Sequence, residues 1–469
     1  MPGYNASPAA ERTFDWITFS TYLSLVIVGM LMLFSTEQAT VSDLWNFNSI
    51  VGKQAIWVGI SLSAFVVAIT IDWRNWDTLS YPIYILGMLL LLGVLIFGTN
   101  IKGSTAWYSF AGVSFQPSEF AKLATAVALA SFLSNYSSDL RKGQTILIAF
   151  GLILLPILLI LAQPDFGSAM VFFSFFILFF RLGLTPAIYV AGIMMALVFI
   201  FSIMYDPWLV LVGLLLLGAV VLLSRTLNNL KLLGATFILI AISIGGWYFD
   251  VLREVAILFG VVIVGIILWI NNPVNRQLIF AGLPTLMFLA LFAFGSSFTF
   301  NNVLLPHQQE RINVWLRPDL TDPQGARYNI IQSQLAIGSG GVQGKGFMNG
   351  NFTKFNYVPE QNTDFIFSTV GEEQGFIGSL SVIMLYVLLL FRITNIAERS
   401  KFKFITNYGY GIAGILFIHF FINIGMTMGI MPVVGIPLPF LSKGGSSLLV
   451  FSIMMGILLR MDLARYKRI

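Results

Sequence analysis

Long apolar segments recur along almost the whole chain and constrain its fold more than any other feature. Each is about 17 to 25 residues long, the length that an α-helix needs to cross the hydrocarbon core of a bilayer. The sequence predicts about fourteen such spans. They lie near residues 17–36, 52–71, 79–98, 117–135, 145–163, 165–182, 185–204, 207–224, 232–249, 253–270, 277–298, 365–391, 404–429 and 444–460. With 57% hydrophobic and 10% charged residues and a mean hydropathy of +0.85, the chain is expected to be all-α, a polytopic membrane helical bundle.

The basic residues predict the orientation of this bundle. When the loops are assigned to alternate sides, most of the short-loop arginines and lysines fall on the side of the N-terminus, which the positive-inside rule makes cytoplasmic. The residues on that side are Arg74, Arg141, Lys142, Arg181, Arg225, Lys231, Arg276, Arg392, Arg399, Lys401, Lys403, Arg460, Arg465, Lys467 and Arg468. The short loops opposite hold only Lys53, Lys102, Arg253 and Lys443. We therefore expect both termini to be cytoplasmic.

The chain reads as one integral membrane domain, 1–469, with two distinctive regions. Residues 299–364 form a long loop on the outer side, with a helical-looking piece around Tyr328 to Ile337. A connection of that length inside a compact domain is usually functional. Residues 207–298 contain four apolar segments with few polar residues, and we expect them to serve as packing or partner surface.

Composition excludes several classes of function. The chain has no cysteine and only two histidines, His307 and His419, which rules out disulfides, iron–sulfur clusters and thiolate or multi-histidine zinc sites. A hard cation such as Mg²⁺ or Mn²⁺ on carboxylates remains compatible with the sequence, and no organic cofactor is expected. The net charge of +5 is scattered over loops, so no nucleic-acid partner is expected. The polar N-terminus lacks a cleavage site, so the first span should remain in the mature protein.

Ionisable residues inside the spans are the candidate functional residues, because each costs roughly 2.5 to 3.5 kcal/mol on insertion scales. Glu119 and Lys122, three residues apart on a helix begun by Pro117, can pair with each other or face a substrate. Glu372 and Glu373 need at least one cationic partner, for which Lys122 and Lys443 are candidates.

Two further polar residues have alternative readings. Asp165 lies where the chain reverses between two spans, and it either caps the next helix or contributes to an outer site. His419 could relay protons or act as a hydrogen-bonded packing residue, with Asn423 four residues on as its natural helical neighbour.

Asp364 stands at the junction between the long outer loop and an apolar run. Thr-Asp before Phe-Ile-Phe is a good helix N-terminus, where a capping side chain contributes about 1 kcal/mol. On local pattern alone Asp364 is equally a helix cap and a catalytic carboxylate at the membrane edge.

Eight polar or glycine-containing motifs are distributed over most of the chain outside 207–298. They are Lys-Gly-Ser-Thr-Ala-Trp (102–107), Gln-Pro-Ser-Glu-Phe-Ala-Lys-Leu (116–123), Gln-Pro-Asp-Phe-Gly-Ser (163–168), Gln-Gln-Glu-Arg-Ile (308–312), Ala-Ile-Gly-Ser-Gly-Gly-Val-Gln-Gly-Lys-Gly (336–346), Val-Pro-Glu-Gln-Asn-Thr-Asp-Phe-Ile-Phe (358–367), Gly-Glu-Glu-Gln-Gly (371–375) and Gly-Ile-Pro-Leu-Pro-Phe-Leu-Ser-Lys-Gly-Gly-Ser-Ser (435–447). In their order and spacing these segments resemble the SEDS family (shape, elongation, division and sporulation) of bacterial peptidoglycan glycosyltransferases, most closely the rod-shape-determining RodA type.

The chain departs from the family pattern in two places. The family usually has ten spans, so 1–206 and 299–469 resemble the family core and 207–298 resembles an insertion of about four transmembrane helices. The last motif normally reads Ser-Tyr-Gly-Gly-Ser, and this chain has Lys443 in place of the tyrosine. Lys443 therefore adds a cation beside a glycine-rich turn, where it could pair with a glutamate or a diphosphate.

The resemblance implies polymerisation of lipid II. The growing glycan on its undecaprenyl diphosphate is the donor, and the 4-hydroxyl of another lipid II attacks its anomeric carbon. The matching family aspartate is Asp364, which would act as general base or, alternatively, as a metal ligand. The candidate cations for stabilising the diphosphate leaving group are Arg311, Lys345, Lys122 and Lys443. The candidate supporting residues are Glu119, Asp165, Glu372 and Glu373.

The resemblance also implies a location and partners. The protein is expected in the bacterial inner membrane, in contact with membrane lipid, nascent glycan, a class B penicillin-binding protein (a transpeptidase) and membrane proteins of the elongation complex. Three alternatives remain open on the sequence: a lipid II flippase or other transporter, a non-enzymatic scaffold, and a division- or sporulation-type polymerase.

Overall fold

The computed structural model describes residues 14–464 except 102, 111–112, 136–139, 141, 215–216, 218–244, 246–275, 305 and 323–324. In these residues the fold is predominantly helical, as predicted. The helices are α1 (Trp16–Thr36), α2 (Ile50–Thr70), α3 (Trp73–Thr78), α4 (Ser80–Phe97), α5 (Pro117–Ser134), α6 (Gly143–Leu161), α7 (Phe166–Val171), α8 (Phe175–Arg181), α9 (Pro186–Met204), α10 (Arg276–Asn302), α11 (Pro306–Leu316), α12 (Ala326–Ser339), α13 (Asn351–Lys354), α14 (Ile366–Glu398), α15 (Lys403–Thr427) and α16 (Gly445–Ala464).

Nine helices within the described ranges are long and apolar enough to cross a bilayer. Every predicted span outside 207–270 coincides with a helix, although the span at 165–182 is broken into α7, a 3-10 turn and α8. The predicted span at 253–270, that at 232–249 apart from residue 245, and half of that at 207–224 lie outside the described residues. The helical piece expected around Tyr328 to Ile337 is confirmed as α12.

The described chain divides into two compact units. The second unit comprises residues 186–321 and includes α9, α10 and α11. Its α9 and α10 pack around Val198, Leu214, Leu289 and Ala293. The expected boundaries of the extra spans, 207 and 298, fall inside this unit, and an insertion there stays a prediction.

The first unit, residues 1–185 and 322–469, contains all the other elements. Helix α5 is at its centre, in contact with α4 and α15, while α16 packs along α2 and α14 along α15. Small side chains on α5 such as Ala124 and Ala128 are fully buried. Small residues let helix backbones approach closely, which is the usual basis of helix packing in membranes.

A small sheet, which the hydropathy pattern did not predict, covers one end of this unit. Its strands β1 (Thr99–Ile101), β2 (Ser104–Phe110) and β3 (Val113–Phe115) are antiparallel in the order β1-β2-β3. The hydroxyl of Ser104 donates to the carbonyl of Gln163 (2.8 Å), and the amide side chain of Gln163 donates to the carbonyl of Leu91 (3.0 Å). These bonds fix the sheet to the ends of α4 and α6.

Helix α14 is interrupted at Gly375, whose φ of 64° and ψ of −159° are not helical. The backbone of residues 341–346 supplies hydrogen bonds at the break. The amides of Lys345 and Gly346 donate to the carbonyls of Glu372 and Glu373 (3.1 and 2.9 Å), and the amide of Phe376 donates to the carbonyl of Gly341 (2.9 Å). The two glycine-containing motifs at 336–346 and 371–375 are therefore two halves of one structural element.

Charged residues from three segments meet at the opposite end of the first unit from Asp364. The carboxylate of Asp15 caps α1 and contacts the guanidinium groups of Arg392 (2.6 Å) and Arg399 (3.1 Å), and Arg399 also contacts Asp462 (2.7 Å). Burial raises the pKa of Asp15, but hydrogen bonds from Thr18 and Arg392 outweigh it and hold the pKa below its ordinary value. Two of the residues that loop alternation assigns to the side of the N-terminus, Arg392 and Arg399, thus lie at the start of α1.

Candidate active site

Asp364 lies just before α14 and does not cap it. The helix begins at Ile366, its N-cap residue is Phe365, and no side chain caps that end. The capping reading of Asp364 is therefore wrong, and the reason lies in the apolar residues that follow. Phe365 and Ile366 are buried, Phe365 in a cluster with Ala336 and Val358, so the chain enters the core at Phe365 and leaves Asp364 half-buried at the rim.

Two segments hold the backbone around Asp364: helix α15 and residues 428–444, the α15–α16 loop. The side-chain amide of Asn423 on α15 donates to the carbonyl oxygen of Asp364 (2.8 Å). In the α15–α16 loop, the hydroxyl of Ser442 donates to the carbonyl of Thr363 (2.5 Å), and the amide of Lys443 donates to the carbonyl of Asn362 (2.8 Å). Three consecutive carbonyls, 362 to 364, are therefore fixed by contacts from outside their own segment.

Gly435 forms the wall next to the Asp364 carboxylate. A Cβ placed on Gly435 would lie 3.4 Å from Oδ2 of Asp364, and its φ of +72° favours glycine in any case. The α15–α16 loop therefore contacts both the backbone and the carboxylate side of Asp364.

A cavity of about 360 Å³ is lined mainly by the residues that precede Asp364 in the chain. Its lining is formed by Asn356, Val358, Pro359, Glu360, Gln361, Asn362, Thr363 and Lys443. Lys443 is half-buried there, and its ammonium group forms no ion pair within the described part of the chain. The lining thus combines the cation of Lys443 and the carboxylate of Glu360 with amide and hydroxyl groups, a set that suits a polar ligand carrying hydroxyls.

Glu119 and Lys122 do pair, as the sequence allowed, and His419 joins them. The ammonium of Lys122 lies 2.7 Å from Oε1 of Glu119 and 2.9 Å from Nε2 of His419. These residues are only 2%, 1% and 1% exposed. The polar contacts of His419 are thus with Lys122 and, through Nδ1, with the carbonyl of Pro437 (3.0 Å), and the expected local neighbour Asn423 contacts other groups.

The partner expected for Glu372 was wrong. Lys122 is bound to Glu119 and Lys443 lies at the cavity, while the ammonium that contacts Glu372 belongs to Lys345 (2.7 Å). Glu372 also accepts hydrogen bonds from the amides of Phe352 and Thr353 (both 2.9 Å) at the start of α13. Glu373 accepts a hydrogen bond from the hydroxyl of Ser35 on α1. Glu372 therefore fixes residues 345–353 to the broken part of α14, and Glu373 fixes α1 to it.

Asp165 caps α7, which confirms the capping prediction for this residue. Its Oδ1 accepts from the amide of Ser168 (3.0 Å), and its Oδ2 accepts from the side chain of Gln116 (2.9 Å). The motifs at 116–123 and 163–168 are thereby joined. Arg311 is exposed on α11 in the second unit, and its role as a diphosphate ligand stays a prediction.

Sequence reasoning missed Ser442, Gly435 and Glu37, and it missed what Asn423 does. The carboxylate of Glu37, at the end of α1, accepts a hydrogen bond from the side chain of Asn362. No helical or strand periodicity identifies these residues, because each contacts a residue that is far away in the sequence. The buried amide of Asn423 in an apolar helix was the one usable sign, since a buried polar group needs a partner.

Asp364 supplies a half-buried carboxylate, and Lys443, which forms no ion pair among the described residues, supplies a cation to the cavity lining. Within the described residues no group of three or more His, Asp or Glu side chains is arranged to hold a metal ion. A cation at Asp364 would therefore need further ligands from a bound substrate.

Comparisons with known proteins agree with this fold. The model of the FtsW/RodA/SpoVE family of cell cycle proteins matches residues 15–213 and 212–467, and so extends through 207–298. The peptidoglycan glycosyltransferase RodA of Treponema pallidum is 29% identical over 457 residues, 96% of this chain and 97% of the relative. The peptidoglycan glycosyltransferase MrdB of Escherichia coli K12 is 30% identical over 438 residues, 93% of this chain and 90% of the relative.

Two solved structures share the fold. One is a chain of a peptidoglycan synthase complex that coordinates polymerization and crosslinking, with a TM-score of 0.62, 24% identity, and coverage of 97% of this chain and 99% of that chain. The other is the rod shape determining protein RodA of Thermus thermophilus, with a TM-score of 0.54, 23% identity and the same coverage. Since the family model spans nearly the whole sequence and MrdB is 30% identical over most of it, the chain belongs to the FtsW/RodA/SpoVE family of cell cycle proteins.

Proposed function

We propose that the chain polymerises lipid II into glycan strands, with Asp364 as the general base. It is a multi-pass membrane protein of a family whose curated members RodA and MrdB are peptidoglycan glycosyltransferases, and glycosyl transfer is its activity. The observation that carries the proposal is the position of Asp364: it is half-buried, it directly follows residues that line a cavity, and its backbone is held by Asn423 and by contacts at the two preceding residues.

The chemistry follows from that position. A sugar hydroxyl is a weak nucleophile, and a carboxylate within hydrogen-bond reach typically accelerates its attack by about 10² to 10⁴-fold. The acceptor 4-hydroxyl transfers its proton to Asp364 while its oxygen bonds to the anomeric carbon of the donor glycan. The bond from that carbon to the diphosphate oxygen breaks, and undecaprenyl diphosphate leaves with the electron pair.

Lys443 is proposed to stabilise the charge that develops on the departing diphosphate. We expect Lys443→Met to lower the polymerisation rate about 10²- to 10³-fold, because removal of one preorganised donor from a reaction site typically costs that much. Lys443→Arg should retain most of the activity. Lys354→Met, which removes an exposed lysine of the predicted outer loop, is the matched control. Equal rates for Lys443→Met and the control would show that Lys443 does not take part in the reaction.

A divalent cation, Mg²⁺ or Mn²⁺, is also proposed. Such ions are often held by one or two protein carboxylates together with substrate phosphates, and Asp364 with a bound diphosphate fits that pattern. The cation would neutralise charge on the diphosphate. We expect dialysis against a chelator to lower the polymerisation rate and added Mn²⁺ or Mg²⁺ to restore it. An unchanged rate in the metal-depleted protein would contradict this part of the proposal.

Purified protein incubated with fluorescent lipid II tests the function itself. We expect glycan polymers on a gel, with no added energy source. A flippase would instead move lipid II across vesicle membranes and make no polymer, so absence of polymer with intact, folded protein would overturn the assignment.

The cellular role is proposed to be cell-wall elongation in the bacterial inner membrane, with cytoplasmic termini. The RodA and MrdB relatives and the likeness to a rod shape determining protein favour elongation over division or sporulation. A transpeptidase of the class B penicillin-binding type is the proposed partner, since a chain of similar fold belongs to a complex that couples polymerization to crosslinking. Depletion that gives round cells supports elongation, and depletion that gives filaments supports division.

A further inference from the structure

We propose that His419 is a positioning residue for polymerisation: it connects the buried Glu119–Lys122 pair to the α15–α16 loop, and through that loop it sets the place of Asp364. The inference rests on the proposed role of Asp364 as general base. It concerns contacts far apart in sequence, since His419 lies 297 residues from Lys122.

The first step concerns the proton on the imidazole ring. An ammonium group has three donors and no acceptor, so a nitrogen in contact with it must accept. Lys122 forms an ion pair with Oε1 of Glu119 (2.7 Å), and its ammonium lies 2.9 Å from Nε2 of His419. His419 is therefore neutral, with its single N–H on Nδ1.

The second step concerns what that N–H contacts. Nδ1 lies 3.0 Å from the carbonyl of Pro437, so it donates to the α15–α16 loop. Asn423, one helical turn further along α15, donates to the preceding carbonyl of the same loop, that of Ile436 (2.8 Å). Two consecutive loop carbonyls are thus held by one face of α15.

The third step links these carbonyls to Asp364. The amide of Asn423 that binds the Ile436 carbonyl also binds the carbonyl of Asp364. Gly435, the residue just before Ile436 in the loop, lies against the Asp364 carboxylate. A loop released at Pro437 would move the wall beside Asp364, and a misplacement of about 1 Å in a reacting group can cost about 10²-fold in rate.

A purely structural role for His419 makes different predictions. The ring packs edge-on against Phe451, with ring centroids 5.2 Å apart, and a leucine could fill much of that space. The positioning role requires an acceptor for Lys122 and a donor for Pro437 in one side chain. Glutamine supplies both groups and leucine supplies neither.

The kinetic test compares His419→Gln with His419→Leu in the full-length protein. We expect His419→Gln to polymerise lipid II within about 3-fold of the wild-type rate. His419→Leu should lose about 10- to 100-fold in rate at saturating lipid II with little change in KM, because the variant misplaces the groups around Asp364 and does not weaken the binding of lipid II. Equal rates for the two variants, whether high or low, would overturn the proposal.

A second measurement does not depend on activity. The chain has only two histidines, so ¹⁵N-histidine labelling of the His307→Gln protein gives the nitrogen signals of His419 alone. We expect a protonated Nδ1 and an unprotonated Nε2. In the variant Glu119→Met with Lys122→Met, which removes both buried charges together and so leaves neither unpaired, the Nε2 signal should shift.

A proton on Nε2 in the wild type, or nitrogen signals that do not change in the double variant, would overturn the proposal. Since neither result involves Asp364 or lipid II, failure here is distinguishable from failure of the polymerase assignment.

Discussion

Asp364→Asn is expected to abolish polymerisation of lipid II, lowering the rate by about 10² to 10⁴-fold. Asparagine has nearly the same shape as aspartate but cannot accept the proton of the attacking hydroxyl. The backbone carbonyl that binds Asn423 and the neighbouring carbonyls bound by Ser442 and Lys443 are unaffected by the change. The protein should therefore fold normally and bind lipid II while forming no polymer on a gel.

The control for this experiment is Asp319→Asn, which removes an exposed carboxylate from another part of the predicted outer loop. It should polymerise like the wild type. Thermal unfolding of all three proteins in detergent checks that the loss is chemical. Normal polymer from folded Asp364→Asn would show that another group accepts the proton.

Gly375→Ala is expected to destabilise the protein by about 3 kcal/mol or more, because the backbone of Gly375 lies in a region that only glycine adopts readily. A Cβ there would lie 2.3 Å from the amide nitrogen of Gly344 and 2.7 Å from the carbonyl oxygen of Val342. These are backbone atoms, so they cannot rotate away. The backbone hydrogen bonds between residues 341–346 and the broken helix would be lost. The contacts of Glu372 with Lys345 and α13 would then be distorted.

The measurement is the unfolding temperature of the solubilised protein, together with the amount recovered from membranes. Gly59→Ala in α2 is the matched control, because a Cβ there meets no atom within 4 Å. We expect Gly59→Ala to behave like the wild type. An unfolding temperature for Gly375→Ala equal to that of the control would mean that the break in α14 tolerates a side chain.

The spans were predictable from sequence for a simple reason: bilayer thickness sets both their length and their apolar character. Asp165 as a cap and the Glu119–Lys122 pair were also accessible, since both depend on residues three positions apart. Loop alternation likewise anticipated that Asp15 and Arg399 lie at one end of the bundle, although they are 384 residues apart.

The rest depends on contacts that leave no local pattern. Lys345 meets Glu372 because a loop folds back onto a broken helix, and the break is encoded by a glycine that also looks ordinary in an apolar segment. The cap reading of Asp364 failed because burial of Phe365 delays the start of the helix by one residue. Tertiary packing overrode a valid local signal in this case.

The charged cluster of Asp15, Arg392, Arg399 and Asp462 has a consequence for biogenesis. Asp15 is translated well before Arg392 and Arg399, and Asp462 is translated after them. Helix α1 is therefore complete long before the basic partners of the aspartate at its start exist, and Arg399 completes its contacts only once α16 has been made. A chain interrupted before α14 would present the carboxylate of Asp15 without either guanidinium group, which distinguishes such a product from the folded protein.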